Sequence, residues 1–197
     1  MKTTGVLMAG AVLVLAGCGS SPPTRFYALA AMPGPAEARP AEATPVTVAD
    51  VRVPPTLDRR EMVRSGEGTA VIVSGRDRWA APLDDMSRTV LSEDLAVRLP
   101  PNAVVPPGAP VPPRTARIVV AITRFEPAVG GRAVLAGSWS LVRDGASAPE
   151  LRQDFALDGP AAAGGEAQAA AMSGLLGRLA SCIAATLAAP ANGQNAS

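Results

Sequence analysis

The sequence predicts an α+β domain, a two-layer α/β sandwich with a mostly antiparallel sheet and two main helices packed on one face. Two segments, residues 83–99 and 164–189, each carry a single apolar stripe at helical spacing. The other apolar runs are short and rich in β-branched residues, which is typical of strands. Strands before the first helix and a strand meander between the helices favour α+β over an alternating α/β order.

Three strands are predicted before the first helix. The first covers residues 25–29, and the second covers residues 46–53, where the alternation of valines breaks at Asp50. That break predicts a β-bulge. The third, residues 69–74, is a continuous apolar run, which is typical of a central strand.

Proline-rich or polar segments separate these elements. Residues 32–45 suit a flexible or polyproline-like link, and residues 102–114 form a proline-rich loop. Residues 56–68 are polar. The order of elements therefore depends on three irregular connections.

The first helix has clear start and stop signals. Pro82 suits a first turn, and Asp84 and Asp85 favour the positive end of the helix dipole. Pro100 and Pro101 end the helix. The apolar stripe between these signals comprises Leu83, Met86, Val90, Leu91, Leu95 and Leu99.

A strand meander follows the first helix. Residues 116–126 and 132–142 are two β-rich runs, and the glycines between them suit a hairpin turn. Residues 151–157 extend the pattern to a third antiparallel strand. On the second run, the face expected to point inward bears Leu135, Trp139 and Leu141.

The last helix carries the stripe Met172, Leu175, Leu176, Leu179, Ile183 and Leu187 on an alanine-rich background. Ser173, Arg178, Ser181 and several glycines interrupt it, which argues against a transmembrane anchor. Cys182 lies in the same pattern and is interpreted as a small buried hydrophobe, without a disulfide partner.

Composition excludes several classes of function. Lys2 is the only lysine of 18 basic residues, so residues 18–197 carry 17 arginines against 17 acidic residues, and nucleic-acid binding is not expected. Histidine is absent, which removes histidine-based nucleophile systems and nearly all catalytic zinc sites. Asp84 and Asp85 point about 100° apart on a helix and do not converge on one substrate. We expect no enzyme, no catalytic residue and no metal site.

The N-terminus resembles a bacterial lipoprotein signal. A positive start at Lys2 precedes an uncharged run at residues 6–16, too short to span a bilayer, and Leu15-Ala16-Gly17-Cys18 looks like a lipobox. The resemblance implies cleavage before Cys18 and a covalent lipid on its sulfur and new amine, with no other cofactor. Because Gly19 follows Cys18 in place of Asp, we expect the outer membrane, on its periplasmic face.

The predicted organisation follows from these boundaries. It comprises a lipoprotein signal peptide over residues 1–17, a lipidated tether over 18–24, one domain over 25–189 and a polar tail over 190–197.

Several segments together resemble the ABC-type transport auxiliary lipoproteins. They are VRVPPTLDRREMV at residues 51–63, RWAAPLDD at 78–85, RFE at 124–126, LAGSW at 135–139 and the early RFY at 25–27. Each motif alone is weak, and their order and spacing make the set specific. The resemblance covers about residues 18–189, with a departure in the proline-rich loop and at Arg60, where the family pattern has Pro.

This resemblance implies an accessory component of an intermembrane lipid-transport system. There an ABC transporter couples to periplasmic MCE-domain (mammalian-cell-entry) proteins, and the lipoprotein forms the outer-membrane end as a homo-oligomer. Contact with lipid by the chain itself stays open. The alternative is a structural or assembly lipoprotein of the cell envelope, an outer-membrane biogenesis companion with the same anchor and another partner.

Four residues are candidates for partner docking. Trp79 is either a core anchor before the helix, the favoured interpretation, or part of an exposed docking edge together with Arg78. Asp58 and Arg59 belong to a charged loop that is either solvated and mutually paired, again favoured, or a bridge between subunits.

Overall fold

The fold is described from a computed structural model, which covers residues 22–37, 44–128 and 130–189. The signal segment 1–17, Cys18 and the polar tail 190–197 lie outside the described residues.

Two sheets and two helices make up the described chain. In chain order the elements are β1 (Arg25–Tyr27), β2 (Val46–Arg52), β3 (Glu61–Ser65), β4 (Val71–Trp79), α1 (Leu83–Arg98), β5 (Val104–Val105), β6 (Ala116–Ala128), β7 (Arg132–Val142), β8 (Leu151–Pro160) and α2 (Gly165–Ala188).

The larger sheet has five strands in the order β5-β2-β6-β7-β8. Strand β2 runs parallel to β5 and β6, whereas β6, β7 and β8 form the predicted antiparallel meander. The β2–β6 register shifts between Val48 and Asp50, so the predicted bulge is confirmed. Gly130 and Gly131 have positive φ in the β6–β7 turn, which explains why glycine occupies both positions.

Both helices cover one face of this sheet. Helix α1 packs on β2, helix α2 packs on β6, β7 and β8, and the helices contact each other. The core between the layers includes Leu91, Leu95, Ile118, Phe125, Leu135, Trp139, Leu176, Leu179 and Ile183. The opposite face carries exposed residues such as Arg117, Ala121 and Thr123. The predicted two-layer α+β fold is confirmed.

Helix α2 is long and apolar enough to cross a membrane by length and composition alone. Half of its most apolar stretch is buried inside the fold. The predicted stripe is buried from Met172 to Ile183, and Leu187 is packed against the core. Its packing is that of a core helix.

The smaller sheet has the order β1-β4-β3, and the sequence pattern did not predict it as a unit. Strand β1 is parallel to β4 and β3 is antiparallel to it. The polar stretch 56–68 contains strand β3, because Met62 and Val63 turn inward between charged neighbours. The prediction of a central strand at residues 69–74 is wrong for this run: β4 has strands on both sides only at Asp77–Trp79, whereas Val71, Ile72 and Val73 pair with β3 alone and are exposed.

Three further expectations need correction. The loop 102–114 contains the short strand β5, which pairs with Val46 and Thr47 of β2. Cys182 is exposed, because its position on α2 falls outside the buried stripe. The start of the 32–45 link is held in place, since Asp94 Oδ1 accepts a hydrogen bond from the Met32 amide at 2.7 Å and the Arg98 carbonyl accepts one from Glu37 at 2.6 Å.

Buried charges make that attachment. Arg98 Nη1 lies 3.3 Å from Asp94 Oδ1 on the same helix face and donates to the Met32 carbonyl at 3.1 Å. Arg98 Nε donates to Ser181 Oγ of α2 at 2.9 Å. Burial raises the pKa of Asp94, and the Met32 amide and Arg98 oppose that rise. This cluster joins the N-terminal segment to both helices.

Candidate functional site

The sequence-predicted docking residues all lie on the smaller sheet or on the turn that enters it. Arg78 and Trp79 are the last residues of β4, and Asp58 and Arg59 precede β3. The backbone joins the two groups, because Trp79 donates its amide hydrogen to the Arg60 carbonyl at 2.7 Å. The structure therefore brings the four residues into one region.

Trp79 is not part of an exposed edge, since only 2% of it is accessible. Neighbouring strand residues point to opposite faces of a sheet, so Trp79 turns into the core while Arg78 turns outward. Tyr27 pairs with Trp79 and packs against Gly165 at the start of α2. The core-anchor interpretation of Trp79 is the one that the structure supports.

Arg78 lies in the middle of a row across the outer face of the smaller sheet. Its register partners are Phe26 on β1 and Glu61 on β3. Directly opposite residues share one face of a sheet, so the row presents an aromatic ring, a guanidinium and a carboxylate. Arg78 Nη2 lies 3.8 Å from Glu61 Oε1, and Arg78 Nε is buried without a hydrogen-bond partner in the described structure.

The charged turn is held by an apolar residue beneath it. Leu57 is buried, and its amide donates to the Pro54 carbonyl at 2.8 Å. The Arg59 amide donates to the Leu57 carbonyl at 2.8 Å, which tightens the turn. Asp58, Arg59 and Arg60 are exposed, and within the described ranges none of the three has an ion pair, so the mutually paired loop is not what the structure records.

We call Phe26, Asp58, Arg59, Arg60, Glu61 and Arg78 the docking surface; the first four are exposed, and Glu61 and Arg78 are partly exposed. Phe26 and Glu61 were not among the predicted site residues. The alternation in Arg25-Phe26-Tyr27 contained a signal for Phe26, because an inward Tyr27 requires an outward Phe26. Phe26 is 57% exposed, so its ring is accessible to a partner beside Arg78.

The chemistry of this surface is recognition of charged and aromatic groups. Arginine and aromatic side chains dominate the binding energy of protein interfaces. In the parts of the chain that the structure describes, no group of three or more Cys, Asp or Glu residues is arranged to hold a metal ion. Asp84 and Asp85 do not share a site either, since Asp85 pairs with Arg88 at 3.2 Å.

A cavity of about 710 Å³ lies elsewhere, between the proline-rich loop and strands β2 and β6. Its lining includes the charged residues Arg88, Arg117 and Asp144 beside the prolines of residues 106–113. Apolar residues such as Val48 and Val111 share the lining with these charged groups, so the cavity lacks the predominantly apolar lining that an acyl chain would need.

Comparison with known proteins agrees with this architecture. A crystal structure of an uncharacterized protein matches 84% of this chain and 99% of its own, with a TM-score of 0.71 and 21% identity. A crystal structure of a Xanthomonas campestris protein matches 84% of this chain and 95% of its own, with a TM-score of 0.69 and 16% identity. At these identities the likeness shows the fold alone.

Sequence relatives carry more information. The chain is 25% identical over 151 residues to the intermembrane transport lipoprotein PqiC of Escherichia coli, covering 76% of this chain and 78% of that protein. The Shigella flexneri protein of the same name matches to the same extent. Residues 27–184 match the family described as the ABC-type transport auxiliary lipoprotein component, which is not a class of enzymes. The chain belongs to this family of ABC-type transport auxiliary lipoproteins.

Proposed function

We propose that this chain is a non-enzymatic docking component of an MCE/ABC-type intermembrane lipid-transport system, anchored to the periplasmic face of the outer membrane. Family membership over residues 27–184 is the observation that carries the proposal. The relatives named as intermembrane transport lipoproteins support the transport role.

The docking surface is the part of the molecule that would meet a protein partner. Arg59 and Arg60 project from a turn that Leu57 and two backbone hydrogen bonds hold in place, so little order has to be gained on binding. Arg78 Nε is desolvated already in the free chain. A partner carboxylate that approached the accessible end of the Arg78 guanidinium would gain a charge-assisted hydrogen bond.

The lipid on Cys18 would provide the membrane attachment. Three acyl chains exceed the marginal hold of one myristoyl chain, about 10⁴ M⁻¹, so the attachment would be stable. Gly19 after the acylated cysteine supports the outer membrane as its destination.

Site-specific photocrosslinking in cells tests this function. A photoreactive amino acid would replace Arg59 in the acylated protein, and Arg117, exposed on the far face of the larger sheet, would serve as the matched control. We expect an MCE-domain protein to crosslink at position 59 and not at 117, with ABC components in the same purified complex. Crosslinks to outer-membrane assembly or export proteins would support the alternative, an envelope assembly lipoprotein.

The charged turn that carries Asp58 and Arg59 is a second proposed contact, between subunits of a homo-oligomer, and a crosslink from position 59 to a second copy of the chain would assign the turn to that contact instead. Arg59→Glu should shift the elution volume of the purified protein toward smaller species, while Arg117→Glu should leave it unchanged. Identical elution of the Arg59→Glu variant and the unaltered protein would remove Arg59 from the subunit contact.

A further inference from the structure

Three consecutive apolar residues are exposed at the start of β4. Val71, Ile72 and Val73 are 55%, 38% and 41% accessible. Consecutive strand residues point to opposite faces, so exposure of all three means that both faces of the strand are open here. Ser65 Oγ, on β3 opposite Val71, donates to Glu126 Oε1 of β6 at 3.3 Å, so this end of the β3–β4 hairpin rests beside β6 with the three apolar side chains still open to solvent. We call Val71, Ile72 and Val73 the tip patch.

One edge of the tip patch carries no strand among the described residues. Strand β3 pairs with Val71, Ile72 and Val73 on one side. On the other side β1 pairs only with Asp77, Arg78 and Trp79. An exposed, apolar strand end with an unpaired edge is prone to associate with other molecules in water, and an apolar environment would stabilise it.

The direction of β1 places residues 22–24, which lead into it, toward this end of the smaller sheet. Because β1 and β4 are parallel, the chain approaches Arg25 from the end at which β4 begins. Arg25 lies opposite Asp77, and the step along β3 from Ser65, opposite Val71, to Glu61, opposite Arg78, is four residues, or about 13 Å of strand. From Cys18 to Arg25 there are seven residues, with a reach of about 24 Å. A lipid on Cys18 can therefore lie level with the tip patch.

The charges beside the tip patch suit a lipid surface. Arg64 lies directly opposite Ile72, and Arg76 follows the patch on β4; both are exposed. Glu67, in the turn, is the acidic residue at this end. Within the described chain none of these three has an ion pair, so the two guanidinium groups are available to anionic headgroups.

We propose that the tip patch inserts into the membrane interface beside the lipid anchor, with Val71, Ile72 and Val73 among the lipid chains and Arg64 and Arg76 at the headgroups. This rests on the proposed acylation of Cys18. The docking surface then faces away from the membrane, because Glu61 and Arg78 lie at the opposite ends of β3 and β4 from the tip. The lipid anchor and the tip patch together fix the orientation in which the docking surface meets its partner.

Spin-label accessibility on vesicles tests the proposal. The acylated protein with Cys182→Ser would carry a nitroxide at Ile72→Cys or, in a second variant, at Val71→Cys. Control labels would be at Val97→Cys on α1 and Val111→Cys in the proline-rich loop, which are 54% and 58% accessible. The vesicles would consist of phosphatidylethanolamine and phosphatidylglycerol, and flotation would report anchoring separately.

We expect the labels at positions 71 and 72 to shift toward high collision rates with oxygen and low rates with a water-soluble nickel complex, while the control labels show the reverse. If the protein floats with the vesicles but the label at position 72 collides with the nickel complex as often as the control labels do, the proposed insertion of the tip patch is wrong. The lipid anchor would then still stand. A label shielded from both reagents would show a protein neighbour, a second copy or a partner strand, and would also overturn the proposed insertion. Loss of flotation would overturn the anchor and the proposal together.

Discussion

The two sheets of this molecule use similar residues for opposite purposes. The larger sheet presents one face to α1 and α2, and its aromatic residues Phe125 and Trp139 are enclosed there. The smaller sheet attaches to the body through Trp79, Met62 and Val63, and much of the rest faces solvent. The larger sheet stabilises the fold, and the smaller one holds the surfaces that we propose for partner and membrane.

This contrast explains how exposed apolar residues are tolerated. The stability of the domain comes from the layer between the helices and the larger sheet, where burial of apolar area is extensive. Phe26 and the tip patch can remain exposed because they contribute little to that layer. Matched substitutions in the two sheets can therefore separate stability from interaction.

The largest difference is expected between two phenylalanines. Phe125→Ala removes a fully buried ring from the larger sheet and should lower the free energy of unfolding by about 3–5 kcal/mol. Phe26→Ala, on the exposed face of the smaller sheet, should change it by no more than about 0.5 kcal/mol. Urea denaturation of the two variants measures both values. Equal losses would mean that the Phe26 ring is enclosed as fully as that of Phe125.

Two arginines provide the next comparison. Arg98→Met leaves Asp94 buried without its cation and should cost about 3–5 kcal/mol. Arg78→Met breaks a longer and partly exposed pair with Glu61 and should cost about 0–1 kcal/mol. Chemical denaturation gives the energies, and limited proteolysis near residues 32–37 reports whether the N-terminal segment has been released. Protection of that segment in the Arg98→Met variant would contradict its role as the attachment.

Two glycines give a smaller difference. A Cβ at Gly137 would collide with the Ala121 carbonyl and lie 2.9 Å from Ile122 Cα, and backbone atoms cannot move aside. Gly137→Ala should therefore cost about 1–3 kcal/mol. Gly75 in β4 has open space around its Cβ position, so Gly75→Ala should be neutral or stabilising by up to about 1 kcal/mol. Thermal unfolding of both variants is the measurement, and a costly Gly75→Ala would reveal a close neighbour of β4.

The larger sheet and the helices were predictable from the sequence because their signals are periodic. The stripes of α1 and α2, the meander and the bulge at Asp50 each follow from repeated spacing along one element. Strand β3 was missed because its inward pair, Met62 and Val63, is too short to show a period. The exposure of the tip patch was missed for another reason: an apolar run has the same pattern whether or not another element covers it.

The sequence predicted which residues make up much of the candidate site, but it predicted only in part which of their side chains are exposed. The charged residues Asp58, Arg59 and Arg78 fall in one region, which their separation in sequence does not show. The burial of Trp79 depends on the register between β1, β4 and β3, a tertiary property. The buried pair of Asp94 and Arg98 lay within the apolar pattern of α1, where charges at i and i+4 next to leucines were the available signal.

The smallest effect is the pH dependence of that buried pair, set against an exposed pair on the meander. Burial raises the pKa of Asp94 above 3.8, so its contribution to stability is complete below that pH and is lost as the pH rises through the raised pKa. The stability advantage of the unaltered protein over Asp94→Asn should therefore shrink between acidic and neutral pH. The pKa of Glu150 shifts in the opposite direction, because hydrogen bonds from Arg143 lower it below 4.5.

The advantage over Glu150→Gln should consequently grow as the pH rises through the lowered pKa of Glu150 toward 4.5, and be lost as the pH falls. Urea denaturation of the three proteins at several pH values between acidic and neutral measures both slopes, with the unaltered protein as the common reference. Opposite slopes would identify burial as the dominant influence on Asp94. Parallel slopes would mean that Arg98 outweighs burial and that the cluster behaves as an ordinary ion pair, even though the helices enclose it.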